Sequence, residues 1–164
     1  MKRGASASRF LLRYARSSVA VDVMTEIVIQ QPSARVAAYA GDPTNAPEWY
    51  VNIKSVEWKT PPPAAIGSKV AFVAQFLGRR LAYTYEIVML VPGEKLVMRT
   101  AEGPFPMETT YTWTPTAGGG THMTLRNQGE PAGFSRLAAP FMTSAMRRAN
   151  RKDLTALAAI LERR

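Results

Sequence analysis

The chain has 164 residues, 46% hydrophobic and 9% aromatic, which suits one globular domain with a real core. It contains no cysteine, which excludes disulfides and thiolate metal sites and makes the cytoplasm the expected compartment. No apolar run approaches the roughly 20 residues of a membrane span. The net charge of +9 sits at the ends: residues 1–23 hold five basic residues and one acidic, residues 136–164 hold seven and two, and the stretch between holds nine of each. Such basicity reads first as a leader plus a solvated helix face, with weak attraction to anionic lipid or RNA as the alternative. A specific nucleic-acid surface would interleave its cations with exposed aromatics, and none is expected.

Residues 1–23 are Arg- and Ser-rich, with a short amphipathic patch at Phe10, Leu11, Leu12 and Tyr14. Arg13 interrupts that patch, so it is no secretory core; a transit peptide shares the composition, and the simpler reading is an extension ahead of a domain spanning 24–164. From Glu26 to Gln30 the residues alternate like a strand. Pro32-Ser33 opens a short helix over Ala34–Ala40, closed by Gly41-Asp42-Pro43, and Thr44 to Tyr50 makes a second helical turn or two.

Strands follow in series over Ile53–Thr60, Ser68–Leu77, Arg80–Val91, Lys95–Ala101, Glu108–Pro115 and Thr121–Gly129, parted by Pro61-Pro62-Pro63, Gly78, Pro92-Gly93, Gly103-Pro104-Phe105-Pro106 and Gly118-Gly119-Gly120. Short turns make the series an antiparallel meander, since parallel neighbours need a crossover of about a dozen residues. Val70, Phe72, Ala74 and Phe76, then Leu81, Tyr83, Tyr85, Ile87 and Met89, then Tyr111 and Trp113, and finally Met123 and Leu125 are expected on the covered face.

The final stretch, Pro131 to Arg164, reads as one long helix kinked at Pro140, the only element long enough to cover that face. Its apolar stripe, which includes Phe141, Met142, Ala145, Ala149, Leu157 and Leu161, is rich in alanine and methionine in the middle, where a filled core would prefer branched side chains. A hollow beneath the helix is therefore expected.

The order of strand, two short helices, six strands and long helix resembles the START-like (SRPBCC) superfamily, and within it the polyketide cyclase/dehydrase group. The residues that carry the resemblance are Ala40 to Tyr50 (AGDPTNAPEWY), Gly67-Ser68-Lys69-Val70, Phe76 to Arg80, Tyr85-Glu86-Ile87, Glu102 to Glu108 and Asn150 to Leu154, so it covers roughly Thr25 to Arg164. The resemblance implies an α+β helix-grip fold, in which a seven-stranded curved antiparallel sheet wraps the C-terminal helix around a ligand cavity. The expected lining is Phe72, Phe76, Tyr83, Tyr85, Tyr111, Trp113, Phe141, Met142, Ala145 and Met146, with Trp49, Tyr50 and Phe105 at the rim. Such walls suit a flat hydrophobic molecule of polyketide, quinone, steroid or lipid type.

Candidate chemistry is sparse. His122 and the carboxylates Glu86 and Glu108 fall on outward registers, Glu102 could serve as a rim acid, and no nucleophile–base set or metal-ligand cluster assembles. No cofactor or metal is expected, and no catalytic residue is assigned. Tyr83, Tyr85, Tyr111 or an inward Arg99 could polarise a carbonyl for aldol cyclisation. The leading expectation is a protein that binds or carries a small hydrophobic ligand, as monomer or homodimer. The alternatives are a cyclase, aromatase or dehydratase acting on a polyketide chain, and an interaction protein docking through its basic termini.

Overall fold

In the computed structural model the described residues are 21–130 and 139–163. Seven strands form a single curled sheet: β1 (Val21–Ile29), β2 (Ile53–Trp58), β3 (Lys69–Phe76), β4 (Arg79–Val91), β5 (Lys95–Glu102), β6 (Met107–Pro115) and β7 (Thr121–Gly129). Their order across the sheet is β1-β7-β6-β5-β4-β3-β2, and all neighbours are antiparallel. Between β1 and β2 lie α1 (Ser33–Ala40), a 3-10 turn (Pro43–Asn45) and α2 (Ala46–Trp49). The long helix, α3 (Ala139–Glu162), packs along β1 and across the concave face. This is the helix-grip architecture.

The two-residue period of each strand decides its buried face. On β6, Thr109, Tyr111 and Trp113 are buried and Thr110 and Thr112 are less so; on β7, Met123 and Leu125 are fully buried and His122 points outward. The first strand reaches back to Val21, so it is longer than the Glu26–Gln30 pattern suggests. On β4 the alternation breaks. The pairing with β5 shifts between Ile87 and Met89, where the extra residue of a bulge inverts the parity: Met89 is 43% exposed and Leu90 packs on the core. Arg99 likewise points outward, because Leu96 and Met98 hold the inward register, and its Nε donates to Glu108 Oε2 at 2.6 Å.

Local caps fix the ends. Gly41 ends α1 by donating its N–H to the Ala37 carbonyl (2.8 Å), and a Cβ there would lie 2.6 Å from that oxygen and 3.4 Å from the Trp113 ring. The Asp42 side chain accepts from Thr44 N at 2.9 Å to start the next turn. Pro140 is the second described residue of α3. The expected helical residues 131–138 lie outside the described residues, as does a kink relative to them.

Candidate functional site

The interior divides at Tyr111. Toward the C-terminal end of α3 the space is filled: Ile29, Val36, Trp49, Leu96, Trp113, Met123, Leu125, Leu154, Leu157 and Leu161 form one packed cluster. Toward the start of α3 it is open, leaving a cavity of about 180 Å³. Its sheet wall comes from Phe72, Ala74 and Phe76 on β3, Leu81, Tyr83 and Tyr85 on β4, Met98 on β5 and Thr109 and Tyr111 on β6. Met142, Met146, Ala149, Asn150 and Asp153 on α3 form its roof, and Phe105 and Met107 border it from the β5–β6 connection. Gly103 lets that connection close over Tyr83, since a Cβ there would fall 2.4 Å from the tyrosine ring.

The apolar walls end in a polar cluster. Tyr50 and Tyr111 share a hydroxyl–hydroxyl hydrogen bond of 2.5 Å, which uses one of their two protons and leaves the other to donate. Burial raises both phenol pKa values, with the Asp153 carboxylate adding to the effect, so both stay protonated at neutral pH. Beside them Asp153 is only 3% exposed, and its Oδ1 accepts from Val51 N at 2.8 Å. Loss of water pushes its pKa up to about 6, and the Val51 N–H offsets that only in part. Among the described residues no cation is ion-paired with it. A relay completes the cluster: Thr109 Oγ1 donates to Asn127 Oδ1 (2.7 Å), and Asn127 Nδ2 donates to Asn150 Oδ1 (3.2 Å). The buried Asn150 Nδ2 is left with no acceptor among the described residues.

Of the residues expected to surround a ligand, Tyr50, Phe72, Phe76, Tyr83, Tyr85, Phe105, Tyr111, Met142 and Met146 meet around this cavity. Four do not. Trp49 and Trp113 are buried in the packed half, Trp113 under Gly41. Phe141 is 66% exposed, and Ala145 lines a depression on the outer side of α3 together with it. The helix explains this: Phe141 and Ala145 lie about 100° round it from Met142 and Met146, and it is the two methionines that face the sheet at this end. Glu102 is exposed and Glu108 is committed to Arg99, while His122 pairs with Glu26 on the outer face at 2.9 Å. Asn127, Asn150 and Asp153 were missed. The last two were readable, since Met146, Asn150, Asp153 and Leu157 follow four-, three- and four-residue steps, placing two polar residues in an apolar stripe.

The family profile described as polyketide cyclase/dehydrase and lipid transport matches residues 20–162. The chain belongs to this family. Among solved structures it is similar to a protein from Thermus thermophilus, with a TM-score of 0.74 at 20% identity over 84% of this chain and 94% of that one. It is similar to the Zhui aromatase/cyclase of Streptomyces sp. R1128, with a TM-score of 0.74 at 16% identity over 88% and 95% of the two chains. A START superfamily protein from Mycobacterium smegmatis matches with a TM-score of 0.75 at 12% identity over 87% and 97%. Identities this low show a shared fold. Among curated proteins no significant match is found. No helix of the described residues is long and apolar enough to cross a membrane.

Proposed function

We propose that this family member binds and carries a small, largely hydrophobic molecule that bears at least one oxygen, held between the sheet and the first half of α3. The carrying observation is the cavity itself, apolar on its walls and ending in Asn150, Asp153 and the Tyr50–Tyr111 pair. Its 180 Å³ compares with the roughly 150 Å³ apolar cavity that admits benzene, so the enclosed part of the guest is one or two rings, or a short chain. A longer polyketide, quinone or acyl molecule would extend through the side bordered by Phe76, Arg79, Leu81 and Phe105. The ligand oxygen accepts from the spare proton of the Tyr50–Tyr111 pair.

The test is titration with an apolar fluorophore. Ala149→Trp, on the cavity roof, is expected to abolish uptake with the fold intact, whereas Ala145→Trp, on the outer depression, leaves uptake within about twofold. Equal uptake by Ala149→Trp and the unchanged protein would overturn the reading.

One observation favours a second reading, a cyclase or dehydratase acting on a poly-β-ketone. A carboxylate with a pKa near 6 beside neutral phenols is suited to take a proton from the carbon between two carbonyls while a phenol donates to the developing enolate oxygen. The new carbon–carbon bond would then form by attack on a second carbonyl of the same chain, and loss of water would follow. Asp153→Asn separates the readings: a carrier keeps its affinity within a few-fold, and an enzyme keeps binding but loses on the order of 10²-fold or more in turnover.

A further inference from the structure

The outer side of α3 carries a feature that ligand binding does not use. Phe141, Leu77 and Val51 are 66%, 44% and 49% exposed, and together with Ala145, Arg148 and Lys152 they line a shallow depression of about 360 Å³. Arg147 and Arg151 join Arg148 and Lys152 along an adjoining groove on the same helix. Among the described residues none of these four cations is ion-paired. We propose that this face docks the protein on an anionic lipid bilayer.

Three observations converge on a bilayer. Apolar tips ringed by cations match the interfacial pattern, in which aromatic and aliphatic side chains enter the acyl boundary while Lys and Arg meet the headgroups. A nucleic acid would gain from the cations and from stacking on Phe141, but little from Leu77 and Val51, which offer no flat ring and are wetted without it. Leu77 also occupies the left-handed region, at φ 50, in the two-residue turn Leu77-Gly78 between β3 and β4, where Asn or Gly would be less strained. A leucine there is both strained and wetted in the free protein, and contact with lipid offsets the second cost. Asn52, Phe76 and Ala149 line both the depression and the cavity, so the docked face adjoins the ligand space across one layer of side chains. Transfer of ligand from the membrane rests on the carrier reading above; docking itself does not.

The experiment is cosedimentation of the full chain with phosphatidylcholine vesicles, with and without phosphatidylglycerol, at low and high salt. The protein is expected to bind the anionic vesicles and to be released by salt. At about fivefold per cation, Arg148→Gln with Lys152→Gln lowers partitioning roughly 30-fold. Leu77→Ser with Phe141→Ser lowers it roughly tenfold or more. Both pairs keep the unchanged protein's melting temperature and fluorophore uptake. Docking is overturned if the chain binds neutral and anionic vesicles alike, or if neither pair reduces binding. It is also overturned if a homopolymeric RNA displaces the vesicles while the Leu77/Phe141 pair has no effect, which would assign the face to nucleic acid. Loss of uptake with docking intact would sink the carrier reading alone, and the converse would sink docking alone.

Discussion

The two halves of the interior share one sheet and one helix and differ in what α3 places against the strands. In the packed half the helix contributes Leu154, Leu157 and Leu161, which pack in one cluster with Ile29, Leu96 and Trp113. In the open half it contributes Met142, Met146, Ala149, Asn150 and Asp153. Leucines interdigitate and fill; alanine leaves a gap, methionine adapts, and the two polar residues must be served by hydrogen bonds in place of packing. The lesson is that one helix both holds this domain together and hollows it out, with the division near Asp153. The packed end supplies the stability that an open, partly polar end gives up.

The contrast should break most visibly at Trp113. Trp113→Ala removes one of the two tryptophans of the packed half and is expected to cost about 3–5 kcal/mol by denaturant melts, with little change in ligand uptake. Asp153→Asn, on the open side, should act in the opposite direction and with pH. The folded protein holds the Asp153 proton more tightly than the unfolded chain, so stability from this group is present below about pH 4 and lost as pH rises through about 6. Replacing it with Asn removes that slope. Stability should rise by up to about 3 kcal/mol at pH 8 and change little at pH 4, read from melts across pH.

A mirrored pair of enlargements sharpens the comparison further. Ala158→Leu overfills the packed half and should destabilise by about 1–3 kcal/mol. Ala149→Leu enters open space, so it should be neutral or stabilising by about 1 kcal/mol while weakening uptake. Smallest of all, His122→Ala on the convex face removes only an exposed pair with Glu26 and should change stability by less than about 1 kcal/mol.

Much of this division was legible in residue order. Period-two alternation located the strands and which face each side chain takes, and the alanines and methionines of the last helix announced the hollow. Alternation tells the face of a residue but not its position along the strand. That is why Trp113, on the same face as Tyr111, was expected beside a ligand and instead lies in the packed half. The bulge after Ile87 left no mark in composition, so Met89 was assigned inward. Phe141 lies about 100° round the helix from Met142, beyond the edge of the stripe that meets the sheet, so treating the two as one stripe placed Phe141 wrongly. The polar end was missed because Asn150 and Asp153 interrupt an apolar pattern, and an interruption reads as solvent exposure until the burial of both is seen.

The hollow itself is tested most directly by a crystal structure under xenon pressure. Density for xenon, or for a retained organic molecule, is expected among Phe72, Tyr83, Met98 and Met142, with none around Trp49 and Leu157. An open half empty of both, with its side chains closed onto one another, would contradict the account.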